Sequence, residues 1–269
     1  NGLPSKEKQV AFTGNYTSSS SIDACSISVS GTAIVNFLAT HDLNVRGGIT
    51  VAPTAQLNFD SNSNVYQIEE ILNSGNIEVN RETSLKRLDY VGWSSPVANQ
   101  NLLAFSPNTL TNRFYEYIPT GTTTPTAYQS LDPSTNSFQT AKGYMIRVAN
   151  NWTSIAPGTS FLGQFTGVPN NGSITFAVGQ GYNLLSNPYA SPINAKTFMI
   201  NNPKVDALYY WTHTVPASGG TYPSNNYASY TILGGTASAN GSAIPNDYIQ
   251  VGQGFFVQAN SAFNVNFEN

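Results

Sequence analysis

Apolar residues recur at every second position in short stretches along the first third of the chain: Ile27 and Val29, Ala33 and Val35, Leu43 and Val45, Ile49 and Val51, Leu57 and Phe59, Ile77 and Val79. A period of two puts alternate side chains on one face, so each stretch predicts a strand buried on one side. Gly31, Gly47-Gly48, Pro53 and Asp60-Ser61-Asn62 separate the strands as turns. Strands so short and so closely spaced predict a solenoid-like coil over residues 22–81, each rung burying the inner face of the next, with a meander in a sandwich as the alternative. Residues 66–72 read as a strand edge or a single turn, being too short to predict a helix. The segment before Ala11 reads as an arm or linker.

Beyond residue 88 the pattern changes from simple alternation to an internal echo. Residues 89–98 (DYVGWSSPVA) align with 181–190 (GYNLLSNPYA), which sets Tyr90 over Tyr182 and Pro96 over Pro188 as the stops of a first strand. The echo continues in order. Phe114-Tyr115-Glu116-Tyr117 matches Leu208-Tyr209-Tyr210-Trp211, Tyr128 matches Tyr227, and Ala141-Lys142-Gly143-Tyr144-Met145-Ile146 matches Gly252-Gln253-Gly254-Phe255-Phe256-Val257. The expected organisation is a β-rich part over 1–88 and a duplicated antiparallel β-sandwich or jelly-roll over 89–269, with copies at about 89–148 and 181–260. Between them, residues 161–178 hold two apolar stretches around Asn171-Gly172, a hairpin signal. The second copy carries Gly-, Ser- and Asn-rich inserts at 216–226 and 234–246, which predict surface loops.

Composition agrees with an all-β chain and narrows the function. Charged residues are 9% and aromatic residues 12%, poor in the residues that cover helices. A net charge of −3 gives no electrostatic footprint for nucleic acid, and no apolar run is long enough to predict membrane insertion by a helix. Cys25 is the single cysteine, so an intrachain disulfide is excluded; it reads as a small apolar residue in a strand over 24–29. The chain begins at Asn1 without a signal peptide, the expectation for a processed product or a piece of something longer, and its composition suits an extracellular setting.

Candidate chemistry is sparse. Asp60-Ser61-Asn62-Ser63-Asn64 opens like a calcium loop, but Val65 stands where the glycine is needed and Ile71 where the bidentate glutamate is needed, so a plain turn and no metal is expected. A hydrolytic triad would have to use His41 or His213, no nucleophile elbow surrounds any serine, and no carboxylate pair is recognisable. No catalytic residue and no cofactor is therefore expected. Arg81, Lys86, Arg87 and Asp89 gather charge at the junction and read as a bracket in which arginine binds a carboxylate or carbonyls. Tyr209, Trp211 and Tyr222 are the candidate ligand-binding residues, because exposed aromatic faces beside amides stack on sugars or anchor a partner. Tyr209 and Trp211 share one strand face and Tyr210 takes the other, so one of the two faces must be core.

The runs at 75–81, 85–97, 105–107 and 113–117, with 181–189, 191–193 and 251–257, resemble a module of large Bacteroidota surface and secreted proteins that lies ahead of a type IX secretion sorting domain. The likeness covers roughly residues 40–260. It implies export across the outer membrane, a cell-surface or extracellular location, and a place in adhesin-like proteins. It carries over no catalytic residues. The expected function is adhesive or structural, with a place in a surface filament as one form of it, and with other surface proteins or copies of the chain as partners; a carbohydrate-binding module with glycans as partners is the alternative.

Overall fold

The computed structural model describes residues 4–119, 127–154, 158–215, 222 and 226–269. Its first part is a three-sided coil of parallel strands. One side stacks Gln9–Phe12, Ser26–Val29 and Ile49–Val51; the second Tyr16–Thr17, Ile34–Phe37 and Gln56–Phe59; the third Ile22–Ala24, Leu43–Val45 and Val65–Gln67. Ile27 pairs with Ile49, Val35 with Leu57 and Leu43 with Val65, a constant step of 22 residues. That step stacks like on like. Phe37 lies on Phe59 with ring centroids 5.0 Å apart, and Asn58 Nδ2 donates to Asn36 Oδ1 at 2.9 Å. Gln9 and Val10 are no part of a loose arm, since Gln9–Phe12 pairs with Ser26–Val29 and caps the coil with Val10 and Phe12.

Two expectations are corrected at this level. Cys25 is not inside a strand: it stands at the corner between Ile22–Ala24 and Ser26–Val29, half-buried, and its Sγ accepts from Arg46 Nη2 at 3.3 Å. The apolar stretches flanking Asn171-Gly172 do not form a hairpin. Thr159–Gly167 pairs antiparallel with Ile77–Leu85 along nine residues, and Ile174–Val178 pairs with Phe263–Phe267. Each finds a longer or better covered partner than the other, and the turn lets the chain pass from one sheet to the next.

Ile77–Leu85 also continues the second side of the coil, with Val79 beside Phe59. It therefore joins the coil to the two sheets beyond it. The first of these is four-stranded, ordered Tyr90–Trp93, Tyr144–Arg147, Phe114–Tyr117, Tyr128–Ser130. A five-stranded sheet repeats that order with Gly181–Ser186, Gly254–Ala259, Leu208–Trp211 and Tyr227–Thr231, and adds Gly234–Thr236 at its edge. After the first strand of each sheet a short helix begins on an asparagine cap: Asn101 accepts from Ala104 N ahead of Leu102–Phe105, and Asn194 accepts from Thr197 N ahead of Ala195–Asn201. The helices bury Phe105 and Phe198 at matching places.

No break in the apolar core marks residue 88. Trp93, Phe105, Phe114 and Phe165 belong to the same buried cluster as Phe37 and Phe59 of the coil, whereas Phe198, Phe255 and Phe267 form a second cluster under the five-stranded sheet. Replacing Phe59 by Ala removes a fully buried ring from the coil stack and is expected to cost about 3–5 kcal/mol in chemical denaturation, since the parallel rungs leave little room to collapse.

Candidate functional site

The densest aromatic region lies between the two sheets. Met145, Leu184 and Phe256 form its buried centre, and Tyr90, Tyr115, Tyr117 and Tyr128 from one side meet Tyr182, Tyr209, Trp211 and Tyr227 from the other. Phe256 takes the ring of Tyr117 edge-on at 5.0 Å and that of Tyr227 at 5.7 Å. Perpendicular rings bring a positive edge to a negative face, which favours such packing beyond the area buried. Tyr128 and Tyr227 close the layer with their hydroxyls 3.0 Å apart.

The contacts are reciprocal. Trp93 forms a bridge with Gln253, and Leu185, its counterpart in the echo, forms one with Lys142, the counterpart of Gln253. Ser94 N donates to Gly252 O and Ser186 N to Ala141 O, each at 3.0 Å. Each sheet treats the other as it is treated, the mark of an isologous interface. The corner is left-handed in both halves, with φ of 70° at Gly252 and 65° at Ala141. The close approach depends on missing side chains: a Cβ on Gly143 would lie 2.7 Å from Leu184 Cγ, and one on Gly254 would lie 3.0 Å from the Gly92 carbonyl carbon.

Tyr209, Trp211 and Tyr222 are all part of this contact rather than an open platform. Tyr209 and Trp211 share the face that meets the other sheet, while Tyr210 turns into the core beside Phe255. Trp211 Nε1 donates to Tyr90 O at 2.9 Å and its ring meets Tyr222 at 5.0 Å; Tyr222 in turn donates to Leu88 O at 2.9 Å. Of the long inserts, residues 216–221 and 223–225 lie outside the described residues, and Gly234–Thr236 forms the edge strand instead of a loop.

Both histidines have partners. Asp89, only 5% exposed in its side chain, lies 3.1 Å from His213 Nδ1, and its Oδ2 also accepts from Lys86 N at 2.8 Å. The junction is thus held by an aspartate, and no carboxylate pairs with Arg81 among the described residues, where an arginine bracket was expected. Ser18 Oγ and His41 Nδ1 are 2.9 Å apart, but Ser18 is buried and its Oγ also accepts from Leu38 N, so the hydroxyl is tied into the coil. Among the described residues no three His, Cys, Asp or Glu side chains gather as metal ligands, and no helix is long and apolar enough to cross a membrane.

Two hollows lie where the coil meets the second sheet's flank, and they share Pro192 as a wall. The smaller, about 70 Å³, is walled by Arg81, Asn62, Asn64, Asn80 and Gln250. The larger, about 240 Å³, is walled by Tyr66, Asn194, Thr197, Asn201, Asn266 and Glu268. The sequence pointed to this seam only through Arg81 in a charged stretch, Tyr66 at a strand edge and the turn at 60–64, whose Asn62, Ser63 and Asn64 wall the smaller hollow.

A family model described as Domain of unknown function (DUF8693) matches residues 1–269, and the chain belongs to that family. No curated protein and no solved structure matches the chain.

The aromatic layer makes stability sensitive to both mutation and pH. Trp211→Ala removes the ring and its bond to Tyr90 O and is expected to lower stability by about 3–5 kcal/mol in urea unfolding. Burial pushes the phenols of Tyr90 and Tyr128 up from 10.0, and that of Tyr222 to about 12. Phenols of the unfolded chain ionise first, so stability is full below pH 10 and falls as pH rises through the folded values. Phenolate absorbance followed against near-ultraviolet circular dichroism is expected to show these tyrosines ionising together with loss of the fold above pH 10, and not before it.

Proposed function

We propose that this member of the family is a non-catalytic, structural and adhesive module of a bacterial surface or secreted protein. It would be exported by the type IX route and work outside the cell, against other surface proteins or copies of itself. Residues 89–269 would be a duplicated antiparallel sandwich, clamped face to face and set on the coil of residues 1–88. The observation that carries the reading is the placing of the aromatic residues. They lock the two sheets into one rigid body, and the polar pairs that could have served catalysis are tied into structural bonds.

A rigid body of this kind holds its loops out, and one of them is apolar. The turn between Tyr227–Thr231 and Gly234–Thr236 presents Leu233, 94% exposed, with Ile232 next to it also exposed and the exposed Ile244 lying against Gly235. An adhesive surface uses such groups, because apolar area left in water gains by being covered. A carbohydrate-binding role is the second reading, and the observation favouring it is the seam around Pro192.

Beads coated with the chain are expected to cluster or to capture bacterial cells, and the double variant Ile232→Ser, Leu233→Ser is expected to reduce capture severalfold with its melting temperature unchanged. Uncoated-level capture by the parent chain, or steady turnover of ester or glycoside substrates, would sink the adhesive, non-catalytic reading.

A further inference from the structure

The seam around Pro192 has the chemistry of a binding site, and its parts differ from end to end. At one end stands Arg81. Its guanidinium is partly covered, which lowers its pKa from 12.5, and among the described residues its one side-chain bond is a long one, 3.3 Å from Nη1 to Asn62 Oδ1. No carboxylate answers it among the described residues. An arginine fork held in a polar hollow, with most of its donors open, matches a planar carboxylate in two parallel bonds. Gln250 and Asn80 stand beside it, and Asn80 Oδ1 is buried without a donor.

At the other end stands Tyr66, 38% exposed. Asn194 and Tyr248 sit opposite one another in the antiparallel pair Ile193–Asn194 with Tyr248–Ile249, so their side chains share a face, and Tyr248 is 52% exposed. The accessible phenol ring of Tyr66 thus lines a hollow rimmed by amides, a threonine hydroxyl and Glu268, with Tyr248 outside its wall on the neighbouring strand pair. Glu268 is steadied by Asn201 Nδ2 at 3.0 Å, which leaves its second oxygen to accept a hydroxyl. Flat rings with fixed amides and a carboxylate around them are what a sugar ring requires: apolar C–H faces to cover, and hydroxyls to pair.

We infer that the seam binds an acidic glycan, with a pyranose ring at Tyr66 and a neighbouring uronate carboxylate on Arg81. Pro192, common to both hollows, sets the sugar and the carboxylate side by side. The inference rests on the carbohydrate reading and not on the adhesive one, which stands or falls with bead capture.

The test is calorimetric titration of the whole chain with galacturonate, glucuronate-containing and mannuronate–guluronate oligomers, against neutral oligomers of glucose, xylose and mannose. The expected result is binding of at least one uronate series that weakens as salt is raised. Arg81→Gln is expected to weaken that series about tenfold or more while leaving neutral sugars alone, and Tyr66→Ala to weaken it by about tenfold. The salt dependence reads the same ion pair in the unaltered chain should Arg81→Gln fail to fold. No binding to any uronate series overturns the inference; so does equal binding of acidic and neutral oligomers, or uronate binding indifferent to salt and to both variants.

Discussion

A strand that is apolar on both faces needs a layer on each side of its sheet, because either face left in water forfeits what burial would gain. Tyr144–Arg147 is buried at all four positions, and in the second sheet Phe255, Phe256 and Val257 are buried in succession. One side of each sheet meets a core of its own: the coil side with Phe114 and Phe165, or the second helix and the strand pair Ile174–Val178 with Phe263–Phe267, which bring Phe198 and Phe267. The other side of both has only the sister sheet. Reciprocal packing is the result, and with it the absence of side chains at Gly92, Gly143 and Gly254 and the shared left-handed corner at Ala141 and Gly252. Tyrosine fits this layer because its ring supplies apolar area while its hydroxyl can be paired inside it, as those of Tyr128 and Tyr227 pair with each other.

This same need explains which features the residues revealed and which they hid. Alternation revealed the coil, since its strands are buried on one face and their period survives in the sequence. The echo revealed two equivalent runs, whose strands adopt one order in both sheets. Partner choice was not legible: Thr159–Gly167 and Ile174–Val178 look like a hairpin locally, and only distant strands decide otherwise. Cys25 is similar, because a corner between two three- or four-residue strands looks like the middle of one longer strand.

For the aromatic candidates the sequence correctly separated Tyr210 from Tyr209 and Trp211, but it had no means of distinguishing water from a second sheet beyond their face. Polar pairs were hidden for a like reason. His213 and Asp89 are far apart in the chain, and Ser18 meets His41 only because one turn of the coil lies over the next. Such pairs look catalytic by residue type and structural by setting. Ser18 is buried with its oxygen already accepting from the backbone, which removes the freedom that a nucleophile needs.

The seam around Pro192 arises where the flanks of the two sheets differ. Beside the four-stranded sheet the helix cap Asn101 follows Trp93 by eight residues, and that flank is absorbed into the core shared with the coil. Beside the five-stranded sheet Asn194 follows Leu185 by nine, and although Ala190 O accepts from Val65 N of the coil at 2.8 Å, Pro192 and Ile193 just beyond it are only partly covered. A rigid double sheet cannot bend to close the resulting gap, since its position is set by the aromatic layer on the far side. The gap is therefore held open by the packing between the two sheets. That places Arg81 and Tyr66, which belong to the coil, against Pro192 and the turn ahead of the second helix, so that one flank seals the coil and the other leaves an exposed polar crevice beside it.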